Sequence, residues 1–468
     1  MRTYAEYTPC ISLWNKSFPS HWEILPMYAV AKEKSICDCV DLPLLSVYLD
    51  VGVIPFSAKA EKRTNATSAD LSKYQRVDVG DFVLNNQQAW RGSVGVSFNT
   101  GIVSPAYIVL SMNERLNSNY ANYLFRSRIM VDQYLINSKS VGSIQRNIYW
   151  PALKRTKVLV PPRDEQEQIV RFLDWKVSSI NKLISNYRHQ IALLDEMKQR
   201  RIDEAVVKGM RKGTLVHNDD IRWDIDYPEH WRIKRIREVF SFRKGLSITK
   251  ANLEETGIAI ISYGQVHSKK NSGVGLNEEL IRYVNESYLI TNQSCLVEKG
   301  DFIFADTSED VTGCGNCAYI DWDDTIFAGY HSIIAHPDGS ANNKYLAYLF
   351  KSPTWRYQIH KKVNGVKVYS ITQKMLKDVF ILIPPIDEQE EIIRHLDEVC
   401  AKIDDTIKKM EEKISNLQEL KIRLVADTVT GKIDVRGVEI PEYELVDEEA
   451  DSDADETDGE EETEEQED

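Results

Sequence analysis

The sequence predicts an α+β protein: two globular domains joined by two long helices that pair as an antiparallel coiled coil, with a pseudo-twofold internal repeat. Three observations predict it. The phrase "PPRDEQEQIVRFLDWKV" at Pro161 returns as "PPIDEQEEIIRHLDEVC" at Pro384, 223 positions later. The pattern W-x4-P-x-H-W stands at Trp14–Trp22 and again at Trp223–Trp231, at an offset of 209. Each copy of the first phrase opens an apolar stripe that alternates steps of three and four residues, the signature of a helical seam.

The first globular domain is expected over residues 1–160. Short strand-like runs such as "VGDFVLN" and "GIVSPAYIVL" alternate there with Gly and Asn turn signals, and amphipathic helical pieces follow. The first spacer helix is expected over 161–209, with Val170, Leu173, Val177, Ile180, Ile184, Tyr187, Ile191 and Leu194 on its seam. A diproline blocks helix upstream, and the residues place Asp164 as the cap with Glu167 three positions on, in the manner of a capping box.

The second globular domain is expected over 210–383, entered through a linker at 210–222. It echoes the first: Gly80-Asp81-Phe82 matches Gly300-Asp301-Phe302, and Tyr123-Leu124-Phe125 matches Tyr348-Leu349-Phe350. Gly142, Ile148 and Leu153 correspond likewise to Gly365, Ile371 and Leu376. Between these anchors the domains differ, "VLNNQQAWRGSVGVS" having no counterpart in "FADTSEDVTGCGNCAYI". A shared scaffold with unlike interiors predicts two readers of different things. The doubled Trp22 and Trp231 belong to the shared frame and are expected in the cores.

The second spacer helix and a closing segment are expected over 384–437. Ile393, Leu396, Cys400, Ile403, Ile407, Met410, Ile414 and Leu417 form its seam, and Asp387 and Glu390 repeat the cap. At about 1.5 Å per residue each helix spans roughly 60 Å. The remaining residues, 438–468, read as a disordered acidic tail.

The charge is unevenly spread. Lys and Arg number 58 against 72 Asp and Glu, but 17 of the acids fall between Glu442 and Asp468, where there is no Lys or Arg. The body is therefore close to neutral and slightly basic, and nucleic acid is an admissible partner. Like charges in the tail repel and leave little to form a core. No apolar run is long enough for a membrane span and the N-terminus lacks a leader pattern, so a cytoplasmic location without membrane attachment is expected.

Catalytic signatures are missing. There is no Walker A sequence, no G-x-G-x-x-G, no H-E-x-x-H, and no Asn/Asp-Pro-Pro-aromatic tetrad of an adenine methyltransferase. Cys314-x-x-Cys317 has no second pair at metal spacing, His331 and His336 being unpatterned, so no metal site is assigned. Glu196-x-Lys198 and Glu419-x-Lys421 have the spelling of half a nuclease motif but lie inside the helical pattern, where a charged face or partner contact accounts for them. A nuclease in its own right and a coiled-coil scaffold that reads no sequence are the rival readings.

The doubled P-x-H-W, the doubled "PP-x-DEQE-x-I" helix start and the closing "VTGKIDVRG" at Val429–Gly437 resemble the DNA specificity subunit of type I restriction-modification systems, over Trp14 to Gly437. The resemblance implies two target recognition domains, each reading one half of a bipartite site on double-stranded DNA, with the helices as a ruler between them. It implies docking to two methyltransferase subunits, which two restriction subunits can join. No cofactor would be bound by this chain; S-adenosylmethionine, ATP and Mg2+ would belong to the partners. Residues after Val438 depart from the family pattern.

Base reading favours Arg for guanine and Asn or Gln for adenine, while Lys meets phosphate. The candidates in the first domain are Asn86, Gln87, Gln88 and Arg91 in "NNQQAWRG", with Lys139, Arg146 and Asn147 around "GSIQRN". In the second they are Lys361, Lys362, Lys367 and Tyr369 in "HKKVNGVKVY".

Overall fold

The computed structural model describes residues 2–10, 17–49, 51–58, 70–141, 145–217, 223–363, 365 and 368–447. Trp14 and Gly142 therefore lie outside the described residues. The chain forms two compact units, Met1–His189 with Met410–Asp468, and Gln190–Lys409. This division cuts across the linear partition, because each long helix contributes to both units.

The first unit is built on four antiparallel strands, β1 (Ala31–Lys34), β2 (Phe82–Asn85), β3 (Val94–Val96) and β4 (Tyr107–Met112), in the order β1-β4-β2-β3. Side chains alternate across a strand, and β2 is covered on both faces. Phe82 and Leu84 enter the main core, where Phe82 stacks on Phe125 at 4.4 Å. Val83 faces a smaller cluster with Leu45, Val47, Val53 and Val77. Helices α1 (Ser118–Arg126) and α2 (Arg128–Ile136) pack on the sheet; Asn117 caps α1 by accepting from the Asn119 and Tyr120 amides at 2.9 and 3.2 Å.

The second unit repeats this plan. Strands β5 (Phe240–Lys244), β6 (Phe302–Ala305), β7 (Cys317–Tyr319) and β8 (Ser332–Pro337) lie in the order β5-β8-β6-β7, the same path as in the first unit. Phe302 and Phe304 contact Phe350 edge-on at 5.0 and 5.3 Å. The second unit adds a five-stranded sheet, ordered 253–254, 282–284, 258–261, 326–328 and 296–297, where the first has separate two-stranded ribbons. Its helices include α3 (Tyr263–His267), α4 (Asn343–Lys351) and α5 (Pro353–His360).

The two doubled phrases meet in space. In the first unit Glu165 of the helix start is buried and accepts from Tyr4 at 2.5 Å and from His21 Nε2 at 2.8 Å. In the second, Glu388 accepts from His230 Nε2 at 2.7 Å and from the Trp231 indole at 2.8 Å. A buried carboxylate is tolerated only when it is hydrogen-bonded, so the histidine of the turn and the first glutamate of the helix start form a lock that recurs in both units, completed by Tyr4 in the first and by the Trp231 indole in the second. The neighbouring glutamines complete it. Gln166 accepts from the Asn117 amide and donates to the Pro161 carbonyl, and Gln389 does the same with Asn342 and Pro384. Trp22 and Trp231 are buried, as the shared frame requires.

The long helices run Arg163–Lys208 and Ile386–Val429. Their caps differ from the expected boxes. Pro162 and Pro385 precede the first helical residue, and the carbonyl of each accepts two amides of the first turn. Asp164 and Asp387 are thus the second residues of their helices, inside the first turn, where their charge favours the positive end of the helix, and Glu167 pairs with Arg163 at 3.2 Å instead of reaching back. A proline suits this boundary because its fixed φ matches the helix entry. Each helix ends on a left-handed glycine, Gly209 at φ 72° and Gly431 at φ 73°.

The helices pair antiparallel within each unit. In the first, Ile180 and Ile184 share a core with Ile414, Leu417 and Leu424, while Lys421 Nζ approaches Asn181 Oδ1 and Lys413 lies over the Tyr187 ring at 5.3 Å. In the second, Ile202, Ala205 and Val206 share a core with Ile392, Leu396 and Cys400, and Lys198 pairs with Asp404 at 2.5 Å. Each domain also grips the end of one long helix and the strand that leads into the other: Tyr120 donates to the carbonyls of Val429 and Leu159, and Tyr345 to those of Val206 and Leu382. No helix among the described residues is long and apolar enough to cross a membrane.

The acidic tail begins later than its composition indicates. Residues 438–446 lie along the first long helix, where Gln168 donates to the Val438 carbonyl at 2.8 Å and Asn181 to that of Val446 at 2.9 Å. Val438 and Ile440 pack on the core of the first unit. These two apolar side chains and the helix's buried Ser178 and Asn181 fix a segment that its charge would leave free. Residues 448–468 lie outside the described residues.

Candidate nucleic-acid interface

In the first unit the loop after β2 carries the first group of candidates. Asn85 Oδ1 accepts from the amides of Gln87 and Gln88, and a short 3-10 turn, Ala89–Arg91, closes on Gly92 at φ 111°. Val131 of α2 approaches Gly92 from behind. Asn86 is structural: its carbonyl and its Oδ1 both accept from the Ile148 amide, at 3.2 and 3.0 Å. That double bond ties the loop to the hairpin formed by strands Ser138–Val141 and Gln145–Ile148, bringing Asn86, Gln87, Gln88 and Arg91 beside Lys139, Arg146 and Asn147.

The group is cationic and aromatic at its rim. Lys139 is exposed, 3.9 Å above the Tyr149 ring, and Arg91 lies 4.9 Å over Trp90. The Trp90 indole donates to the Gln87 carbonyl. Arg146 Nε donates to Ser138 Oγ at 2.9 Å, which sets the plane of its guanidinium. Asn147 Oδ1 is buried with no hydrogen-bond partner among the described residues.

The equivalent place in the second unit is a cleft of about 830 Å3. Strand Thr307–Ser308, next after β6, pairs with Tyr369–Ser370, so the loop 307–316 and the later hairpin position converge here too. His267 of α3 organises the floor. Its Nε2 donates to the Thr307 carbonyl at 2.8 Å, so its Nδ1 accepts from Asn316 Nδ2 at 3.0 Å. Asn316 Oδ1 is thereby turned to accept. Asp310 takes the Thr312 hydroxyl at 2.7 Å and the Gly313 amide at 2.6 Å, and these bonds hold its carboxyl below the usual carboxylate range.

Aromatic residues form the rim, Tyr263 meeting Tyr330 and His331 at 5.5 and 5.4 Å. His331 has φ 53°, a left-handed conformation uncommon for a side chain of its size, and its Nδ1 faces Asp306 at 3.2 Å. Arg356 lines the cleft from α5, its Nε donating to the Phe350 carbonyl at 3.0 Å, and burial lowers its pKa.

None of the described sequence candidates of the second domain is among the residues that line this cleft. Tyr369 is in the strand that pairs with Ser308. Lys361 lies 4.4 Å over the Tyr357 ring, and Lys362 donates to the Asp378 carbonyl at 3.3 Å. Lys367 lies outside the described residues. The cleft's own His267, Glu309, Asn316 and Arg356 were not singled out, although Glu309 and Asn316 lie in the stretch noted for having no counterpart in the first domain. Cys314 and Cys317 in that stretch are buried, and burial pushes the Cys317 thiol up to about 12. Among the described residues no group of three or more His, Cys, Asp or Glu side chains is placed to hold a metal.

Two stretches of this chain, 34–191 and 228–416, match the type I restriction modification DNA specificity domain. The chain belongs to this family. The first specificity domain contains the 85–92 loop and the 138–148 hairpin, and the second contains the whole cleft. The chain is 22% identical over 376 residues to the type I restriction enzyme MjaVIII specificity subunit of Methanocaldococcus jannaschii, covering 78% of this chain and 84% of the relative. It is 24% identical over 313 residues to the EcoKI specificity subunit of Escherichia coli K12, covering 64% of this chain and 62% of that one. A solved chain of the type I R-M system superposes with a TM-score of 0.61 at 15% identity, over 89% of this chain and 99% of its own. That likeness is one of fold.

Proposed function

We propose that this chain is the sequence-reading subunit of a type I restriction-modification complex, each specificity domain reading one half of a bipartite site in double-stranded DNA. The observation that carries the reading is the pairing of one repeated frame with two unlike loop sets. The sheet order, the histidine-to-glutamate lock and the tyrosine grips recur in both domains, whereas "NNQQAWRG" and "TSEDVTGCGN" share no pattern. Identical frames present the two reading surfaces in equivalent ways, and different loops give them different targets.

The chain itself performs no reaction in this reading. It directs two methyltransferase subunits to adenine N6, and two restriction subunits join them; S-adenosylmethionine, ATP and Mg2+ are held by those partners. The Glu-x-Lys elements serve the helices: Glu196 pairs with Arg200 at 2.6 Å, and Lys198 with Asp404.

The test is an N6-methyladenine map of the host genome with and without the gene for this chain. Loss of methylation from a single split motif is expected. A map unchanged on deletion, together with a purified methyltransferase complex that binds all duplexes alike, would refute the reading.

A further inference from the structure

Resting on that function, we infer that the cleft of the second specificity domain reads a G·C base pair by its major-groove edge, Arg356 donating to guanine O6 and N7 and Glu309 accepting from cytosine N4.

Arg356 is the starting point. Its Nε is tied to the Phe350 carbonyl, which fixes the guanidinium plane, and among the described residues its terminal nitrogens have neither a hydrogen-bond nor a carboxylate partner. A guanidinium drawn into a protein without a counter-charge is costly, and two parallel N–H groups call for a pair of acceptors held side by side. A phosphate and the guanine edge both offer such a pair. The rest of the cleft separates them. Glu309 and Asp310 line the same space and repel a phosphate, whereas a G·C pair sets the cytosine N4 donor beside the guanine acceptors.

The two acids are not equivalent. Asp310 is occupied by Thr312 and Gly313, while Glu309 is exposed and has no partner among the described residues, so it is the acceptor available to cytosine. An A·T pair fits less well. Its reading calls for an amide free to donate and accept side by side, and Asn316, the one amide among the described lining residues, has one of its two N–H groups tied to His267. The left-handed His331 at the rim adds a second sign of function, since strain of this kind concentrates at binding sites.

The experiment uses the full chain co-purified with its methyltransferase partner and a library of randomised duplexes, the bound fraction being sequenced. For the wild type a split consensus is expected, with a G·C pair in one half. Arg356→Gln should reduce the preference for that pair by about ten- to a hundredfold, the ratio one bidentate base contact supplies, and leave the other half-site unchanged. Glu309→Gln should relax the same position; being an exposed side chain, it decides the matter if the arginine variant does not assemble. An unaltered consensus for both variants overturns the inference, as does a uniform loss across all sequences with a shallower salt dependence, the mark of a phosphate contact. A wild-type complex that selects no sequence would instead refute the function on which the inference rests.

Discussion

Glu388 is almost fully buried and receives hydrogen bonds from His230 and Trp231, with Arg211 Nη1 at 3.4 Å beside them. Glu388→Ala leaves the Trp231 indole without an acceptor and should lower the stability of the second unit by about 2 to 3 kcal/mol, the worth of hydrogen bonds to a charged group. Denaturant unfolding followed by tryptophan fluorescence measures it, and a change under about 0.5 kcal/mol would show that the lock is not structural. Lys351 makes a different prediction. Burial is the main cause that pushes its pKa down to about 8, with Lys198 and Arg356 adding repulsion. The unfolded lysine titrates near 10.5, so between about pH 8 and 10.5 the unfolded chain binds the extra proton. Stability should therefore rise with pH across that window in the wild type relative to Lys351→Met; equal slopes for the two proteins would contradict it. At this scale the sequence displays the residues but not their meetings. P-x-H-W and D-E-Q-E are visible twice as separate phrases, and only folding shows that each histidine serves the glutamate of the other phrase.

At the scale of elements the seam periodicity was readable because a coiled coil imposes it on every turn. Ile180, Ile184, Leu396 and Ile403 are all buried where the three-four alternation places them. The caps were less readable, since Asp and the diproline both satisfy a start signal and the proline carbonyl takes the role. The closing strap was hidden for another reason. Glu439, Glu442 and Glu444 give 438–446 three acids and no base, while much of its attachment runs through backbone carbonyls and amides that carry no sequence label. Truncation after Gly437 strips partners from Asn181 and Ser178 and should cost the first unit about 2 kcal/mol. Truncation after Asp447 should cost nothing measurable in the same unfolding experiment. Equal stability of the two truncated chains would show that the strap is not bound in solution.

For the whole molecule, the repeat made the two-domain plan legible, but the proposed reading surfaces escaped for the reason that would make them useful. They lie where the two halves differ, so no internal comparison exposes Arg356 or His267. Composition misled as well, because the formal net charge of −14 is carried by one end of the chain. Residues 448–468 contain 14 acids and no Lys or Arg, so truncation after Asp447 leaves a formally neutral protein. Its binding to arbitrary DNA should strengthen at low ionic strength and converge with the full chain's as salt screens the difference. Titrations of both forms at several salt concentrations would reveal it, and coincident curves throughout would mean that the tail's charge does not reach the DNA.

The division of the chain also sets an order in time. The second unit is one uninterrupted stretch, Gln190–Lys409, whereas the first needs residues from 410 onward: Gly431 accepts from the Tyr7 hydroxyl, and the Asp434 amide donates to the Arg2 carbonyl. On the ribosome, domains fold as their sequences emerge. Here the half translated first is the half completed last. A nascent chain that has emerged as far as Lys409 holds one finished domain and one waiting for its missing helix, and release is the moment at which both become competent together.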